Sequence, residues 1–264
     1  MSSALQRLRR AAAYGLLVHA VRTVAAIGLL WPLLAAFGRA AQEHFFDAAT
    51  TGTRATLALE LLLQGADMRW MASWAGAYAL LSPLLTLTWL SALREPDPGL
   101  AALLRALRLY PRGLMLTLGG AASAALLALP GLFLLLAQPL TPAALQEPLA
   151  WIALALAILG ALCALATVDL IRAALVELAR LRPAVTSAMR NLAPRFFAHR
   201  VALLCLSLSI AVAGELGARA LPSLAWALPA QQCAALAHTA VGGLWLALTL
   251  EWLGPRRPRL LSRP

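Results

Sequence analysis

Residues 149–168 read LAWIALALAILGALCALATV, twenty positions without a charged side chain. A helix rises about 1.5 Å per residue, so this run covers about 30 Å, the thickness of a bilayer's hydrocarbon. A backbone at that depth must satisfy its own amides and carbonyls, because no water is there to do so. The stretch therefore reads as a transmembrane helix. Five further runs at 18–37, 70–93, 113–136, 201–221 and 233–253 have the same character. The first carries Arg22 near its start, and the fifth carries Glu215 and Arg219 near its end. The expected fold is all-α. It is a polytopic membrane helix bundle forming a single domain over residues 1–264, with about six transmembrane helices, interfacial amphipathic helices and a cytoplasmic Arg-rich tail at 254–264.

Composition agrees. Of 264 residues, 61% are hydrophobic and 12% charged, whereas a soluble domain needs about a quarter charged to wet its surface. The net charge is +11, and all 22 basic residues are Arg. A basic excess in so apolar a chain comes from cytoplasmic loops, so nucleic acid is not expected as a partner. The Arg-only, Ala- and Leu-rich usage points to a high-GC bacterial genome and hence to the bacterial inner membrane. Cys163, Cys205 and Cys233 are widely spaced and form no CxxC or Cys/His cluster, which excludes a zinc or disulfide framework. Arg7, Arg9 and Arg10 followed by apolar residues, with Gly38-Arg39-Ala40 beyond, imitate a signal peptide. The apolar run of residues 11–37 far exceeds a signal core of about 7–15 residues, so a retained first helix is expected.

Orientation follows from the arginines. Arg7, Arg9 and Arg10 precede the first span; Arg94, Arg105, Arg108 and Arg112 join the second to the third; Arg180, Arg182, Arg190, Arg195 and Arg200 join the fourth to the fifth; Arg256, Arg257, Arg259 and Arg263 end the chain. These 16 face only Arg39, Arg54, Arg69 and Arg219 on the other side. The positive-inside rule then places both termini in the cytoplasm. Trp31, Trp70, Trp89, Trp151, Trp226 and Trp252 fall near span boundaries, where an amphipathic ring prefers the headgroup zone.

The connections have patterns of their own. After the Glu95-Pro96-Asp97-Pro98 turn, residues 99–110 read GLAALLRALRLY. Arg105, Arg108 and Arg112 share one helical face opposite leucine, as in a helix lying in the interface and attracting anionic headgroups. The same pattern fits a helix packed beneath the bundle. Residues 177–191 look similar but are interrupted by Pro183, and TRATLALELLLQ at 53–64 is a candidate interfacial or capping helix on the other side. Leu109-Tyr110-Pro111-Arg112 and Leu192-Ala193-Pro194-Arg195 each close an Arg-bearing stretch and open a span, and residues 3–10 are similarly Arg-rich. Three units, each an inner-surface helix followed by a transmembrane hairpin, are suggested.

The fourth span ends in Val168-Asp169-Leu170-Ile171-Arg172-Ala173-Ala174-Leu175-Val176. With the six-span layout, this stretch resembles a broad group of bacterial proteins similar to the membrane domain attached to some glycerophosphodiester phosphodiesterases. In that group the fourth span ends with an acidic and a basic residue before an Arg-rich amphipathic helix. The resemblance implies the membrane fold. No phosphodiesterase catalytic domain lies within these residues, so it implies no enzymatic activity.

Ionisable groups inside a membrane are costly, and they lead the list of candidate sites. Arg22, Asp169, Arg172 and Glu251 fall at one level near the cytoplasmic boundary, with Asp169 and Arg172 at i, i+3 on one face. This set either grips a partner or a lipid phosphate, or offsets its own desolvation by ion pairing. On the other side Glu215 and Arg219 are at i, i+4, with His238 at similar depth. A carboxylate near a histidine can relay protons, but helix-end pairing of Glu215 with Arg219 explains the pattern more simply. His19, His44 and His199 have no metal-ligand partner at useful spacing. Small residues at 119–125, Gly160-Ala161 and Gly242-Gly243 permit close helix approach, and Pro83 and Pro130 can kink the second and third spans.

Searches for GxSxG, HExxH, P-loop and paired-aspartate templates find nothing, so neither catalytic residues nor a cofactor is expected. The expectation is a non-enzymatic inner-membrane scaffold or partner-binding subunit, contacting anionic lipid headgroups or a protein partner in a membrane complex. A small transporter or permease subunit, with a cavity lined by Glu215, His238 and Asp169, is the alternative. An intramembrane lipid-modifying enzyme ranks third.

Overall fold

The computed structural model describes residues 2–44, 68–96, 98–137, 143–220 and 224–254. Among these it forms eight helices: α1 (Ser2–Arg10), α2 (Ala12–His44), α3 (Met68–Arg94), α4 (Leu100–Ala137), α5 (Ala143–Leu178), α6 (Leu181–Asn191), α7 (Pro194–Ala220) and α8 (Leu224–Leu253). Six contain stretches long and apolar enough to cross a membrane: Ala12–Leu29, Arg69–Arg94, Leu100–Gly131, Pro148–Leu178, Pro194–Ala218 and Pro229–Leu253. The chain is an all-α, multi-pass membrane protein. The helix expected at 53–64 and the tail arginines Arg256, Arg257, Arg259 and Arg263 lie outside the described residues.

Two expectations change. The Arg-bearing stretch at 99–110 is not a separate interfacial helix, because α4 continues through Pro111 and Pro130. A proline deletes the bond to the carbonyl four residues back and crowds that turn. α4 runs on through both residues despite the lost bonds, with Pro111 and Pro130 on its exposed surface. With 38 residues, α4 extends about 57 Å, and its first turns stand beyond the hydrocarbon as a stiff continuation of the span. Nor does Pro183 interrupt α6. It is the third residue of that helix, where the backbone N–H has no intrahelical partner to lose. Ala184, Ala188 and Asn191 form the buried face of α6, while Arg182 and Arg190 are exposed.

The chain divides into two compact units, Leu17–Ser82 and Met1–Leu16 with Pro83–Pro264. In the smaller unit α2 and α3 meet at Gly28. Trp70 Nε1 donates to the Gly28 carbonyl at 2.8 Å, and a Cβ at Gly28 would lie 2.7 Å from the Trp74 ring. Glycine is needed there because the indole occupies the volume of a side chain.

The larger unit contains the antiparallel pairs α4–α5 and α7–α8, with α1 docked on α8 and α6 docked on both α5 and α8. Close backbone approach sets the first pair. A Cβ at Gly160 would meet the Leu127 carbonyl oxygen at 2.6 Å, and one at Gly131 would collide with the Ala153 carbonyl. Small residues at helix contacts give van der Waals packing that lipid-facing leucines cannot. In the second pair Gly214 faces Ala234. Trp89, near the end of the second span, is 2% exposed, its ring lying against Gly15 and Gly243. The two glycines leave the room the indole fills.

Tight packing gathers at the Arg-rich end. Leu87, Leu90 and Leu93 of α3, Ala102 and Ala106 of α4, Leu170 to Val176 of α5, Phe196 of α7 and Trp245 to Leu250 of α8 supply most of the buried side chains. Toward the opposite end Leu126, Phe133, Trp151, Ile158, Val212 and Leu216 are exposed. Apolar surface of this extent is what lipid tails cover.

Between α5 and α6 the chain turns at Ala179, which has φ 56°. The left-handed region costs an L-residue about 1–2 kcal/mol, and glycine is the usual occupant at this place after a helix. Ala179→Gly should therefore raise stability by about 1 kcal/mol, read as a higher midpoint of thermal unfolding in detergent. An unchanged or lowered midpoint would mean the turn is not strained.

Candidate functional site

Asp169 and Arg172 are both on α5, one turn apart, near the Arg-rich end of the span. Arg172 Nη1 lies 3.1 Å from Asp169 Oδ1. Arg172 Nη2 donates to Thr117 Oγ1 of α4 at 2.7 Å, and that hydroxyl in turn donates to the Gly113 carbonyl at 2.8 Å. The second Asp169 oxygen accepts from Trp245 Nε1 of α8 at 2.9 Å. Arg172 is only 9% exposed and Trp245 only 2%. Three helices are thus joined through one ion pair, the carboxylate reaching α8 and the guanidinium α4, and the carboxylate supports a guanidinium the hydrocarbon would otherwise penalise heavily.

An aromatic layer continues from Trp245. Phe196 of α7 packs on it at 4.8 Å and 43°, and Trp252 lies 5.8 Å from Phe196. Trp252 Nε1 donates to the Asn191 carbonyl at the end of α6, at 2.7 Å. Above the Trp245 ring sits the Arg200 guanidinium, 4.9 Å from the ring centroid.

The other sequence candidates disperse. Glu251 accepts a hydrogen bond from Ser3 Oγ of α1. Six residues beyond Trp245, it points about 120° away from the Asp169 side of α8, and it fastens α1 to α8. Arg22 belongs to the smaller unit, where it is half-buried on α2. Glu215 accepts from Gln231 Nε2 at 3.4 Å. His238 hydrogen-bonds Ser207 through Nδ1, a different partner from that of Glu215. Arg219 stands in the last turn of α7, its side chain outside the described residues. Of the basic face, Arg105 pairs with Glu95 and Arg112 donates to the Ala179 carbonyl, while Arg108 is exposed. Arg94 also serves the end of α5, with its Nη1 3.1 Å from the Val176 carbonyl and its Nε 3.4 Å from Glu177. Cations at a helix C-terminus neutralise its unpaired carbonyls.

No family model, curated protein or solved structure matches this chain. Its site is therefore interpreted from its own geometry. Among the described residues no group of three His, Cys, Asp or Glu side chains is placed to hold a metal ion.

Sequence reasoning found the Asp169–Arg172 pair and missed Thr117, Trp245 and Arg200 as its neighbours. A signal was present. Gln231, His238, Trp245 and Trp252 recur every seven residues on α8, which holds them on one face with about 20° of drift per repeat. Their partners descend α7 in reverse order, from Glu215 through Ser207 to Phe196. The α7–α8 contact is a heptad seam whose repeating position is polar or indole.

Proposed function

We propose that the protein is a non-enzymatic scaffold or partner-binding subunit of the bacterial inner membrane, with both termini in the cytoplasm. Its Arg-rich end contacts anionic headgroups or an acidic partner. The observation that carries this reading is how the acids at that end are used. Glu95 pairs with Arg105, Glu177 with Arg94, Asp169 with Arg172, and Glu251 bonds Ser3. Arg9, Arg10, Arg108, Arg180, Arg182, Arg190 and Arg195 remain exposed beside them, with no carboxylate partner among the described residues. Basic side chains near an anionic leaflet contribute about 1 kcal/mol each.

Phosphatidylglycerol added to zwitterionic micelles should raise the thermal midpoint well above that with phosphatidylcholine. The gain should shrink as salt rises past about 0.15 M, where screening acts within about 8 Å. Equal stabilisation by both lipids at low salt would refute the basic-face reading.

One observation favours a transporter as the second reading: the α7–α8 seam places polar pairs at two depths, Glu215 with Gln231 and Ser207 with His238. Successive stations on α8 are about 10 Å apart, however, and Asp169 is already engaged by both Arg172 and Trp245. Proton leakage from reconstituted vesicles, abolished by His238→Ala, would move the assignment to transport.

A further inference from the structure

We propose that Arg200, held over Trp245, binds a single phosphate group at the Arg-rich mouth of the α7–α8 hairpin. The inference deepens the basic-face reading to one discrete contact and rests on it. Charge arithmetic within the site is the starting point. Two guanidiniums, Arg172 on Asp169 and Arg200 over the Trp245 indole that Asp169 also holds, are accompanied by a single carboxylate. Asp169 gives one oxygen to Arg172 and the other to Trp245 Nε1. The neighbouring acids are occupied elsewhere, Glu251 by Ser3 and Glu177 by Arg94. Arg200 has no ion-pair partner among the described residues, and its Nε is buried without a hydrogen bond. The cluster is left with one uncompensated positive charge.

Geometry indicates what compensates it. The guanidinium lies 4.9 Å from the Trp245 ring centroid. Trp245 is itself fixed by Asp169 and Phe196. Contact with an indole face fixes a guanidinium in place, and of the Arg200 nitrogens only Nε is buried, which leaves the two Nη groups available. Arginine's fork then matches two oxygens of a phosphate, which ammonium cannot do with the same directionality. Depth narrows the source. Arg200 is the seventh residue of α7 and directly precedes the uncharged run that begins at Val201. It therefore stands at the hydrocarbon boundary, the level of lipid phosphates, and half-buried. A phospholipid headgroup and a free phosphate share the required chemistry, and the lipid is the source favoured by this depth.

The test is native mass spectrometry of the full chain released from zwitterionic detergent, titrated with phosphatidylglycerol, phosphatidylcholine or inorganic phosphate. Wild type should retain one phosphatidylglycerol as a discrete one-to-one adduct, and Arg200→Gln should weaken that adduct by about tenfold or more. Arg200→Lys keeps the charge without the planar fork. It should fold if charge alone is needed for folding, and still bind several-fold more weakly than wild type. Competition by inorganic phosphate would support the site while making free phosphate its source; lack of competition would support the lipid. Wild-type retention by both Arg200 variants would overturn the site. Salt-sensitive preference for phosphatidylglycerol without a one-to-one adduct would overturn the site but leave the basic-face reading intact. No preference over phosphatidylcholine would overturn both.

Discussion

Asp169→Ala is expected to cost about 3–5 kcal/mol of stability, the range for stripping one partner from a buried ion pair. Arg172 is 9% exposed, and its Nε already lacks a hydrogen-bond partner. Without the carboxylate, a guanidinium enclosed by α4, α5 and α8 has only the Thr117 hydroxyl to bond. Trp245 Nε1 loses its acceptor at the same time. The double variant Asp169→Ala/Arg172→Leu should recover part of the loss, because it leaves no unpaired buried charge. Midpoints of thermal unfolding in one detergent give the comparison, and the cycle isolates the pair's coupling. A double variant as unstable as the single one would show that Asp169 matters through something other than Arg172. Asp169→Asn keeps an acceptor oxygen for the indole and removes only the charge. If it folds at wild-type yield but loses lipid or partner retention, the pair acts in binding as well as in support.

Gly160→Ala and Gly131→Ala should each destabilise the protein by about 1–3 kcal/mol, the usual cost of overfilling a packed contact. The new methyl group would press on a backbone carbonyl across the α4–α5 contact, Leu127 for Gly160 and Ala153 for Gly131. A side chain could swing aside; a helix backbone cannot, so the two helices must separate along much of their length. Gly119→Ala is the internal comparison. It lies on the same α4 with nothing within 4 Å of its added Cβ. There the gain in helix propensity, up to about 1 kcal/mol, should leave stability equal or higher. If all three variants behaved alike, backbone contact would not be what holds this pair together.

Much of the fold was legible because one rule dominates a lipid environment: apolar runs of about 20 residues with few charges read as spanning helices. All six runs lie on helices with apolar stretches long enough to cross a membrane. The rule is local in sequence, which is why it works without tertiary knowledge. The Asp169–Arg172 pair was legible for the same reason, since helical periodicity alone puts i and i+3 together. Thr117 and Trp245 were not, because they reach the pair from 55 and 76 residues away along the chain. Common depth misled in the case of Glu251. Residues at one level of a membrane can point in different directions, and Glu251 faces α1. Proline misled twice, at Pro111 and Pro183. At Pro183 the missing N–H had no bond to lose, whereas α4 continues through Pro111 although one is lost, and neither outcome is written in composition.

The clustering of buried side chains toward the Arg-rich end has a physical consequence for the opposite ends of the helices. There, acyl chains rather than neighbouring residues supply the van der Waals contacts around Phe133, Trp151 and Leu216. Part of the tertiary structure is in effect contributed by the solvent, as mortar is to masonry. The amphiphile chosen for extraction becomes a structural ingredient on that side, whereas the arginine collar carries its cohesion in its own covalent chain.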